Sequence, residues 1–339
     1  MTAGTFSILV IDQYAWHAPI LDPLADLLSA RHDVVRLSMA AFEDGQEAAG
    51  RGADLVIVAD AGTAVVLRRS LPDATILHVG HGLISKNGPA MAYHAADYVC
   101  VASAAIAERL TAQGHVPRRA YLPTGLIQSD LLFRNTPRAQ GVRVPGCAVS
   151  IVYAPTWTPL LSSAEMLGDD LVALIRGDEA GIGIVIKPHP HIAVSAPDLI
   201  ERWRSLAERH ANVVLHPPDS DLIPALLGAD LMISDASSAI FHYLALNRPI
   251  VLIDNPERFA SPLSYDAEGI EWQWRDIGPR VEQVDTLRAA VTRSLAEPNR
   301  YEVARLARRA ALFGAFTDGC ARVRVAAAVD EILKEGGRA

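Results

Sequence analysis

Short apolar runs rich in β-branched residues alternate with helical stretches along nearly the whole chain, and this alternation limits the fold more than any other feature. FSILVID, DLVIVAD and TILHVG are separated by stretches such as PILDPLADLLSA, and the alternation resumes with VSIVYAP, GIGIVIKPHP, DLMISD and RPIVLID. Strands of this length between helices form parallel sheets that are covered on both faces. The sequence therefore predicts an α/β protein with two doubly wound, Rossmann-like sheets.

Two domains are expected, because a chain of 339 residues exceeds the usual size of a single core. The stretch FRNTPRAQGVRVPG has no period of either type and is typical of a linker. The first domain is assigned to residues 1–135 and the second to residues 145–339. The mainly helical segment after Val284 is expected to close the second domain, and its length also allows a return to the first.

The composition excludes several classes of protein. Hydrophobic residues make up 50% of the chain and charged residues 21%, which is typical of a globular protein and not of a disordered one. A formal charge of −8 without a broad basic face disfavours nonspecific binding to nucleic acid. Cys100, Cys147 and Cys320 have neither metal-ligand spacing nor a paired framework, which favours a reducing compartment.

The N-terminus, MTAGTFSILVIDQYAW, lacks the basic start and the long apolar stretch of a signal peptide. No later segment reaches the roughly 18 uninterrupted apolar residues of a membrane-spanning helix. We therefore expect a cytoplasmic protein. Peripheral contact with the cytoplasmic face of the membrane stays open, because such attachment can depend on a few surface residues.

Four short polar stretches each follow a predicted strand: HGLISK, YAPTW, KPHPH and SDASSAIF, which begin at residues 81, 153, 187 and 234. The carboxyl ends of parallel strands meet at one edge of a sheet, where loops bind ligands. In a protein with two doubly wound domains, these edges can face one central cleft. The sequence therefore predicts a single active site in that cleft.

In SDASSAIF, the strand is expected to stop at Asp235, and Ser237 and Ser238 are expected to open a helix. The unpaired backbone N–H groups and the dipole at a helix start favour an anion, here a phosphate. For this motif alone, the favoured alternative is that one of these three side chains caps the helix without a ligand.

In KPHPH, Lys187 and His189 lie two residues apart and share one side of the chain if it stays extended, which the prolines favour. Lys187 could neutralise phosphate charge, and His189 could donate a hydrogen bond or a proton to a leaving phosphate. A solvated polar loop is the alternative. His191 is a weaker candidate.

In HGLISK, His81 follows a strand and is flanked by Gly80 and Gly82, which remove steric bulk beside it. An imidazole can act as a general base near neutral pH, and Lys86 could supply positive charge nearby. A capping or hydrogen-bonded loop histidine is the alternative.

No metal or cofactor is predicted. Asp219 and Asp221 form Asp-Ser-Asp immediately before LIPALLGA, where acidic residues cap a helix. Among the tryptophans, Trp157, Trp272 and Trp274 could stack on a base or a sugar, although packing in the core is the commoner role.

Taken in order, HGLISK, YAPTW, KPHP and SDASSAIFHYLALNRPIV resemble the CDP-glycerol glycerophosphotransferases, which assemble teichoic acids and related surface polymers. The resemblance runs from about Ile76 to Asp254 and includes ADYVCVAS and LPTG between these motifs. It implies a GT-B fold, in which two Rossmann-like domains face each other across the active site.

The resemblance also implies roles for individual residues. His81 matches the family's catalytic base and Lys86 the lysine of the same motif. His189, Ser237 and Ser238 would contact the phosphates of the donor. Residues 1–135 would then serve the acceptor side, and residues 145–339 would bind the nucleotide donor.

Lys187 joins the donor site because its charge could neutralise phosphate, and by the resemblance Asp235 shapes the turn before the serines. Thr156, Trp157 and Gly125 are possible substrate-binding residues.

The chain departs from the family pattern at three places. Thr158 stands where an arginine usually follows YAPTW, and Phe241-His242 replaces Phe-Asp. GLIQSD replaces Gly-x-Pro-Arg-x-Asp but keeps Gly125 and Asp130. These changes point to a different alcohol, acceptor or nucleotide.

The resemblance implies an enzyme that transfers glycerol phosphate, or a related polyol phosphate, from a CDP-linked donor to a hydroxyl of a lipid-linked or polysaccharide acceptor. The product would be a cell-envelope polymer of the teichoic-acid or capsule type. A nucleotide-sugar glycosyltransferase or a sugar 2-epimerase of the same fold is the enzymatic alternative. A catalytically silent nucleotide-binding scaffold is a second alternative, favoured by the missing arginines and opposed by His81, Lys187 and His189.

Overall fold

A computed structural model of the protein describes residues 5–46, 52–82, 92–168, 171, 174, 181–260 and 265–336. The chain divides into two compact units. The first contains the described part of residues 1–83, 89–130 and 311–339, and the second contains the described part of residues 131–310.

The first unit is built on a six-stranded parallel sheet with the strand order β2-β1-β3-β4-β5-β6. Its strands are β1 (Ser7–Asp12), β2 (Asp33–Ser38), β3 (Leu55–Val58), β4 (Ile76–His78), β5 (Tyr98–Val101) and β6 (Ala120–Pro123). Its α-helices are Ala18–Ser29, Met39–Ala41, Ala61–Ser70, Ala104–Ala112 and Ala321–Gly336. The strand order reverses between β1 and β3, and ligands bind at such a switch point in open α/β sheets.

Burial explains why the apolar runs of the first unit are continuous. All four residues of β3 and all four of β5 are buried, since helices cover both faces of the sheet. The edge strand β2 is partly exposed along its length, and it contains charged residues.

The C-terminal helix Ala321–Gly336 belongs to the first unit, which differs from the predicted assignment of residues 145–339 to one domain. Its apolar face, including Val325 and Val329, packs in the same core as Leu21 and Leu24 of Ala18–Ser29. Burying this apolar stripe removes it from water, so the chain returns to the first sheet after residue 310.

The second unit has a six-stranded parallel sheet with the order β12-β11-β10-β7-β8-β9. Its strands are β7 (Val149–Tyr153), β8 (Ile182–Ile186), β9 (Val213–Leu215), β10 (Leu231–Ser234), β11 (Ile250–Ile253) and β12 (Arg280–Val281). The switch point lies between β7 and β10, where Tyr153 is paired with Ile233.

The α-helices of the second unit surround a core that contains the buried Trp203. They are Ala164–Leu167, Ile192–Ser195, Pro197–Arg209, Ile223–Gly228, Ala239–Tyr243, Ile270–Gln273 and Leu287–Ala296. Two more helices, Asp130–Phe133 and Glu302–Phe313, span the boundaries between the units.

The predicted linker is packed against the second unit, which therefore begins at Leu131 and not at residue 145. A Cβ atom on Gly141 would lie 2.2 Å from the backbone nitrogen of Gly228, so only glycine permits this approach. Arg143 donates to the Asp230 carboxylate at 3.1 Å, and this contact also ties the segment to the sheet. The composition of the linker predicted that a domain boundary lies nearby. Tertiary contacts place this boundary at Leu131, before the linker and not after it.

Candidate active site

In the first unit, the ends of β1, β3 and β4 place polar side chains at the switch point. Asp12 ends β1, Asp60 follows β3, and His81 follows β4. Gly80 has a φ of 76°, a left-handed conformation that glycine adopts without strain, and it turns the chain so that His81 follows the strand closely. Of these residues, sequence reasoning identified His81 alone.

One hydrogen bond determines which ring nitrogen of neutral His81 carries the proton. Nδ1 lies 2.9 Å from the carbonyl oxygen of Ala59. Because a carbonyl oxygen accepts and cannot donate, Nδ1 must hold the hydrogen, and the lone pair of the neutral ring is on Nε2. His81 is partly exposed, so its ring is accessible to a substrate.

The Asp60 carboxylate lies beside the same ring. Its Oδ2 atom is 3.8 Å from His81 Nδ1. Its Oδ1 atom accepts hydrogen bonds from the backbone N–H groups of Gly62 and Thr63, at 2.8 and 3.2 Å, and so caps the helix Ala61–Ser70. A carboxylate fixed in this way can stabilise an imidazolium on His81. Its position directly after a predicted strand was the signal that could have identified it.

Two further histidines, His17 and His78, lie near His81, and both are buried. Burial lowers the pKa of His17 to about 3 and that of His78 to about 4, with the charge of a protonated His81 acting in the same direction. The ring centroid of His17 lies 4.9 Å from that of His81. Both neighbours therefore stay neutral at physiological pH, and His81 is the exposed member of the cluster.

Two predicted residues of the first unit have different outcomes. Lys86 falls in residues 83–91, outside the described residues, and its role stays a prediction. Gly125 has a φ of 82°, and a Cβ atom there would lie 3.1 Å from Phe316 Cβ and 3.2 Å from Ala321 Cβ. Gly125 therefore permits close packing of the C-terminal segment, and its assignment as a substrate-binding residue stays a prediction.

In the second unit, His189 lies in an aromatic cluster with Trp157 and His191. The His189 and His191 rings are stacked with centroids 5.3 Å apart, and the Trp157 ring lies 6.1 Å from His189 and 5.0 Å from His191. Trp157 is 41% exposed, which leaves ring surface for a ligand. The structure thus adds His191, the weaker sequence candidate, to the site.

His189 has the opposite proton position from His81. Its Nδ1 atom accepts from the backbone N–H of His191 at 3.2 Å. A backbone N–H can only donate, so Nδ1 of His189 holds a lone pair and the proton of the neutral ring is on Nε2. His189 is therefore oriented to donate from Nε2.

Lys187 does not project toward a shared anion with His189 as the extended chain predicted. Its Nζ atom donates to the carbonyl oxygens of Pro188, Pro217 and Pro218 at 3.2, 3.2 and 2.7 Å, and only 3% of the residue is exposed. Burial lowers its pKa to about 8, although the carboxylates of Asp221 and Asp219 oppose this shift. An ammonium group has three donors, and all three are used here, so Lys187 positions the loops around it.

Asp235 is fully buried and holds a neighbouring loop in place. Its Oδ1 atom accepts from Thr156 N at 2.8 Å, and its Oδ2 atom accepts from both Ser163 N and Ser163 Oγ at 2.7 Å. This arrangement fits the predicted role of shaping the turn and leaves no exposed oxygen for a ligand. Thr156 is likewise buried, at 1% exposure, and its backbone supports the same loop.

The two serines differ from each other. Ser237 Oγ accepts from Ala239 N at 3.3 Å, which is the capping role, and Ser237 is buried. Ser238 is partly exposed and precedes the helix Ala239–Tyr243 without a side-chain cap. Because this helix has only five residues before a 3-10 turn, its dipole contributes less than the sequence argument assumed. Ser238 is the better candidate for a ligand.

Sequence reasoning missed a buried arginine behind these loops. Arg275 donates to the backbone oxygen of Asp235 at 2.7 Å and lies 2.8 Å from Asp254 Oδ1. Burial lowers the pKa of Arg275, while Asp254 raises it. The residue follows a short helix remote in sequence, so no local pattern identifies it. It connects the ends of β10 and β11.

The Asp-Ser-Asp stretch directly precedes the helix Ile223–Gly228, and Asp221 Oδ1 accepts from Ile223 N at 3.1 Å, whereas the N-cap residue itself is Leu222. Within the part of the chain that the structure describes, no group of three or more His, Cys, Asp or Glu side chains has an arrangement that could hold a metal ion.

Comparison with solved structures defines the class of fold. A structure of the wall teichoic acid polymerase TagF aligns with a TM-score of 0.70 at 15% identity, over 97% of this chain and 89% of that one. UDP-GlcNAc 2-epimerase from Neisseria meningitidis, bound to UDP-GlcNAc, aligns with a TM-score of 0.61 at 12% identity, over 96% and 100%. These are GT-B folds, and the predicted fold class is confirmed.

The family follows from the sequence. The family model of CDP-glycerol:poly(glycerophosphate) glycerophosphotransferase matches residues 84–331, and the chain belongs to this family. The protein is accordingly a transferase of the glycerophosphotransferase class, as the resemblance implied. The match begins just after His81. The assignment of His81 to the candidate site therefore depends on its sequence motif and on its geometry. A search of curated proteins gave no significant match.

Proposed function

We propose that this protein transfers glycerol phosphate, or a related polyol phosphate, from a CDP-linked donor to a hydroxyl of a lipid-linked or polysaccharide acceptor. Family membership supports the reaction class, polyol-phosphate transfer in the synthesis of a cell-surface polymer. One structure of the wall teichoic acid polymerase comes from a protein soaked with CDPG. The specific donor and acceptor of this chain are part of the proposal.

The observation that carries the assignment of roles is the opposite proton position on His81 and His189. In the proposed step, His81 Nε2 takes the proton of the acceptor hydroxyl while its oxygen attacks the phosphorus next to the polyol. The new P–O bond forms, the bond to the phosphate of CMP breaks, and CMP leaves. Asp60 then faces an imidazolium, whose charge it stabilises.

His189 would act on the leaving group. Its Nε2 proton can be donated to the phosphate oxygen of the departing CMP, because Nδ1 is already occupied as an acceptor. Ser238 would add a hydroxyl donor to the same phosphate. Trp157, exposed beside His189, would stack on the cytosine base or on the ribose. Lys187 and Asp235 would hold these loops and not touch the donor.

The alternatives break a different bond. A nucleotide-sugar glycosyltransferase or a 2-epimerase releases a nucleoside diphosphate, whereas the proposed reaction releases CMP. A silent scaffold releases neither nucleotide. The opposite proton positions of His81 and His189, which are both partly exposed, favour an enzyme over a silent scaffold.

No helix of the described residues combines the length and the hydrophobicity that crossing a bilayer requires. We place the protein in the cytoplasm, with peripheral contact with the membrane when the acceptor is lipid-linked. Family membership supports this location.

The test is to incubate the purified protein with a panel of CDP-alcohols and nucleotide sugars and to identify the released nucleotide. CMP from a CDP-polyol is the expected product. His81→Ala is expected to lower transfer by about 100-fold to 10,000-fold, the usual range for a general base. His189→Ala is expected to fall in the same range.

Two matched histidines serve as controls. His115 and His210 each lie in a turn between a helix and the next strand, hence at the opposite edge of the sheet. His115→Ala and His210→Ala should keep transfer within about 2-fold. Full transfer by a well-folded His81→Ala protein would remove the proposed base, and release of UDP or another diphosphate would favour the alternatives.

A further inference from the structure

An aromatic pair lies directly after β1, outside the residues that the family model matches. The rings of Tyr14 and Trp16 are stacked, with centroids 4.2 Å apart and planes 8° from parallel. Both residues are only partly buried, so each keeps exposed surface. The backbone N–H of Tyr14 donates to Asp12 Oδ1 at 3.0 Å, which fixes the start of this segment at the switch point of the sheet.

His17 connects the aromatic pair to the candidate base. Its ring meets those of Tyr14 and Trp16 nearly at right angles, at 5.4 and 6.0 Å, and lies 4.9 Å from the ring of His81. His17 is fully buried, and among the described residues neither of its ring nitrogens has a hydrogen-bond partner. The buried His17 ring therefore packs between the aromatic pair and His81 and holds the pair close to His81.

Among the described residues, two carboxylates, Asp12 and Asp60, lie near the aromatic pair, and the Arg36 guanidinium also acts on Asp12. Burial, together with the nearby Asp60 carboxylate, raises the pKa of Tyr14. Asp12 and Asp60 keep 23% and 24% of their side chains exposed, so both carboxylates can accept hydrogen bonds from a ligand. Two carboxylates repel a phosphate and attract hydroxyl donors.

We propose that Tyr14 and Trp16 form a binding surface for a neutral sugar ring of the acceptor, with Asp12 and Asp60 accepting hydrogen bonds from its hydroxyls. The proposal rests on the proposed function, since it makes the sugar the part of the acceptor whose hydroxyl reaches His81. The C–H face of a pyranose packs on an aromatic face, and its hydroxyls need acceptors at the rim. A glycerol phosphate chain offers no such face and carries the charge that the carboxylates repel.

The test uses the full chain with methyl glycosides of neutral hexoses and N-acetylhexosamines, and with a methyl-capped glycerol phosphate dimer. Saturation-transfer difference NMR without donor measures binding, and transfer from CDP-glycerol gives the KM of each acceptor. The wild-type protein should bind a glycoside through its ring protons and bind the dimer more weakly. Trp16→Ala and Tyr14→Ala should each raise the glycoside KM about 10-fold, the upper range for one aromatic contact, and KM for CDP-glycerol should change less than 2-fold.

Two variants separate stacking from folding. Trp16→Phe keeps a ring and should restore most of the glycoside affinity. Phe6→Ala removes a partly buried aromatic ring before β1, at the opposite edge of the same sheet, and should leave both KM values unchanged.

The proposal is overturned if the dimer binds and reacts better than every glycoside, or if folded Trp16→Ala and Tyr14→Ala proteins keep wild-type glycoside binding. A wild-type protein that releases no CMP from CDP-glycerol refutes the proposed function, and the NMR comparison then still decides whether the aromatic pair binds sugars.

Discussion

At the scale of single residues, His81 and His189 each owe the position of their ring proton to one backbone partner. The carbonyl of Ala59 forces the proton of His81 onto Nδ1, and the N–H of His191 forces that of His189 onto Nε2. The same side chain is thus prepared as an acceptor in one unit and as a donor in the other. Ala59 lies outside HGLISK, and in KPHPH it is the backbone of His191, not its side chain, that sets the proton position.

Lys187 provides a prediction that depends on pH. Its pKa of about 8 in the folded protein lies below the ordinary lysine value of 10.5, so the unfolded chain binds one more proton between these pH values. The free energy of unfolding should therefore rise with pH in that window, by up to about 1.4 kcal/mol per pH unit. The contribution is fully present above pH 10.5 and is lost as the pH falls through about 8.

The measurement is urea denaturation of the wild type and of Lys187→Met between pH 7 and 10.5. The sequence contains only Lys86 and Lys334 besides Lys187, so few other lysines titrate in this range. Lys334→Met is the matched control, because this residue lies exposed near the end of the C-terminal helix. A stability difference between wild type and Lys187→Met that does not change with pH would show that Lys187 keeps its ordinary titration.

At the scale of elements, the GLIQSD stretch binds the start of the C-terminal helix and so holds this helix against the rest of the first unit. The Asp130 carboxylate accepts from the backbone N–H groups of Ala321 and Arg322 at 2.8 and 3.1 Å, so it caps the helix from 191 residues away in sequence. Arg324 Nε donates to the carbonyl of Thr124 at 2.8 Å. Gly125 and Asp130, the two positions retained from the family pattern, thus both serve this helix.

Asp130→Ala should lower the free energy of unfolding by about 1–2 kcal/mol, the usual effect of losing a helix cap, with a larger loss if the buried N–H groups stay unsatisfied. Asp130→Asn keeps one acceptor oxygen and should lose less. Denaturation monitored by circular dichroism measures both. Affinity for CDP-glycerol should stay within about 2-fold, and a loss of donor affinity without a loss of stability would place Asp130 in the substrate site instead.

At the scale of the whole molecule, the two units carry different halves of the proposed chemistry. The first sheet places His81, Asp60 and the aromatic pair at or beside its switch point, and the second sheet places Trp157, His189 and Ser238 at or beside its own. Both sets agree with the rule that ligands bind between loops at the point where the strand order of an open α/β sheet reverses. Donor binding and base catalysis should therefore be separable.

Isothermal titration calorimetry with CDP-glycerol tests this separation. Trp157→Ala should raise the donor Kd by about 10-fold, within the range for aromatic stacking on a base, and Trp157→Phe should recover most of it. His81→Ala should change the donor Kd by less than 2-fold while transfer collapses. Equal losses of donor affinity in both variants would instead assign His81 to donor binding.

The sequence by itself determined the elements and their class. Alternating apolar runs predicted two doubly wound sheets, because each strand buried on both faces needs a continuous apolar stretch. The motifs at strand ends predicted His81, His189 and Trp157, since local order places those residues at a ligand-binding edge whatever the remaining contacts are.

Tertiary structure decided what depends on contacts between distant segments. Hydrogen bonds to the carbonyls of Pro217 and Pro218 hold the Lys187 side chain in the interior. Residues 311–339 belong to the first unit and not to the second, because the C-terminal helix packs on the first sheet. His17 and Asp60 joined His81 because β1, β3 and β4 are neighbours in the sheet, although their segments are separate along the chain. Periodicity reports which face of an element is apolar and does not report which partner covers it, so these outcomes required the folded structure.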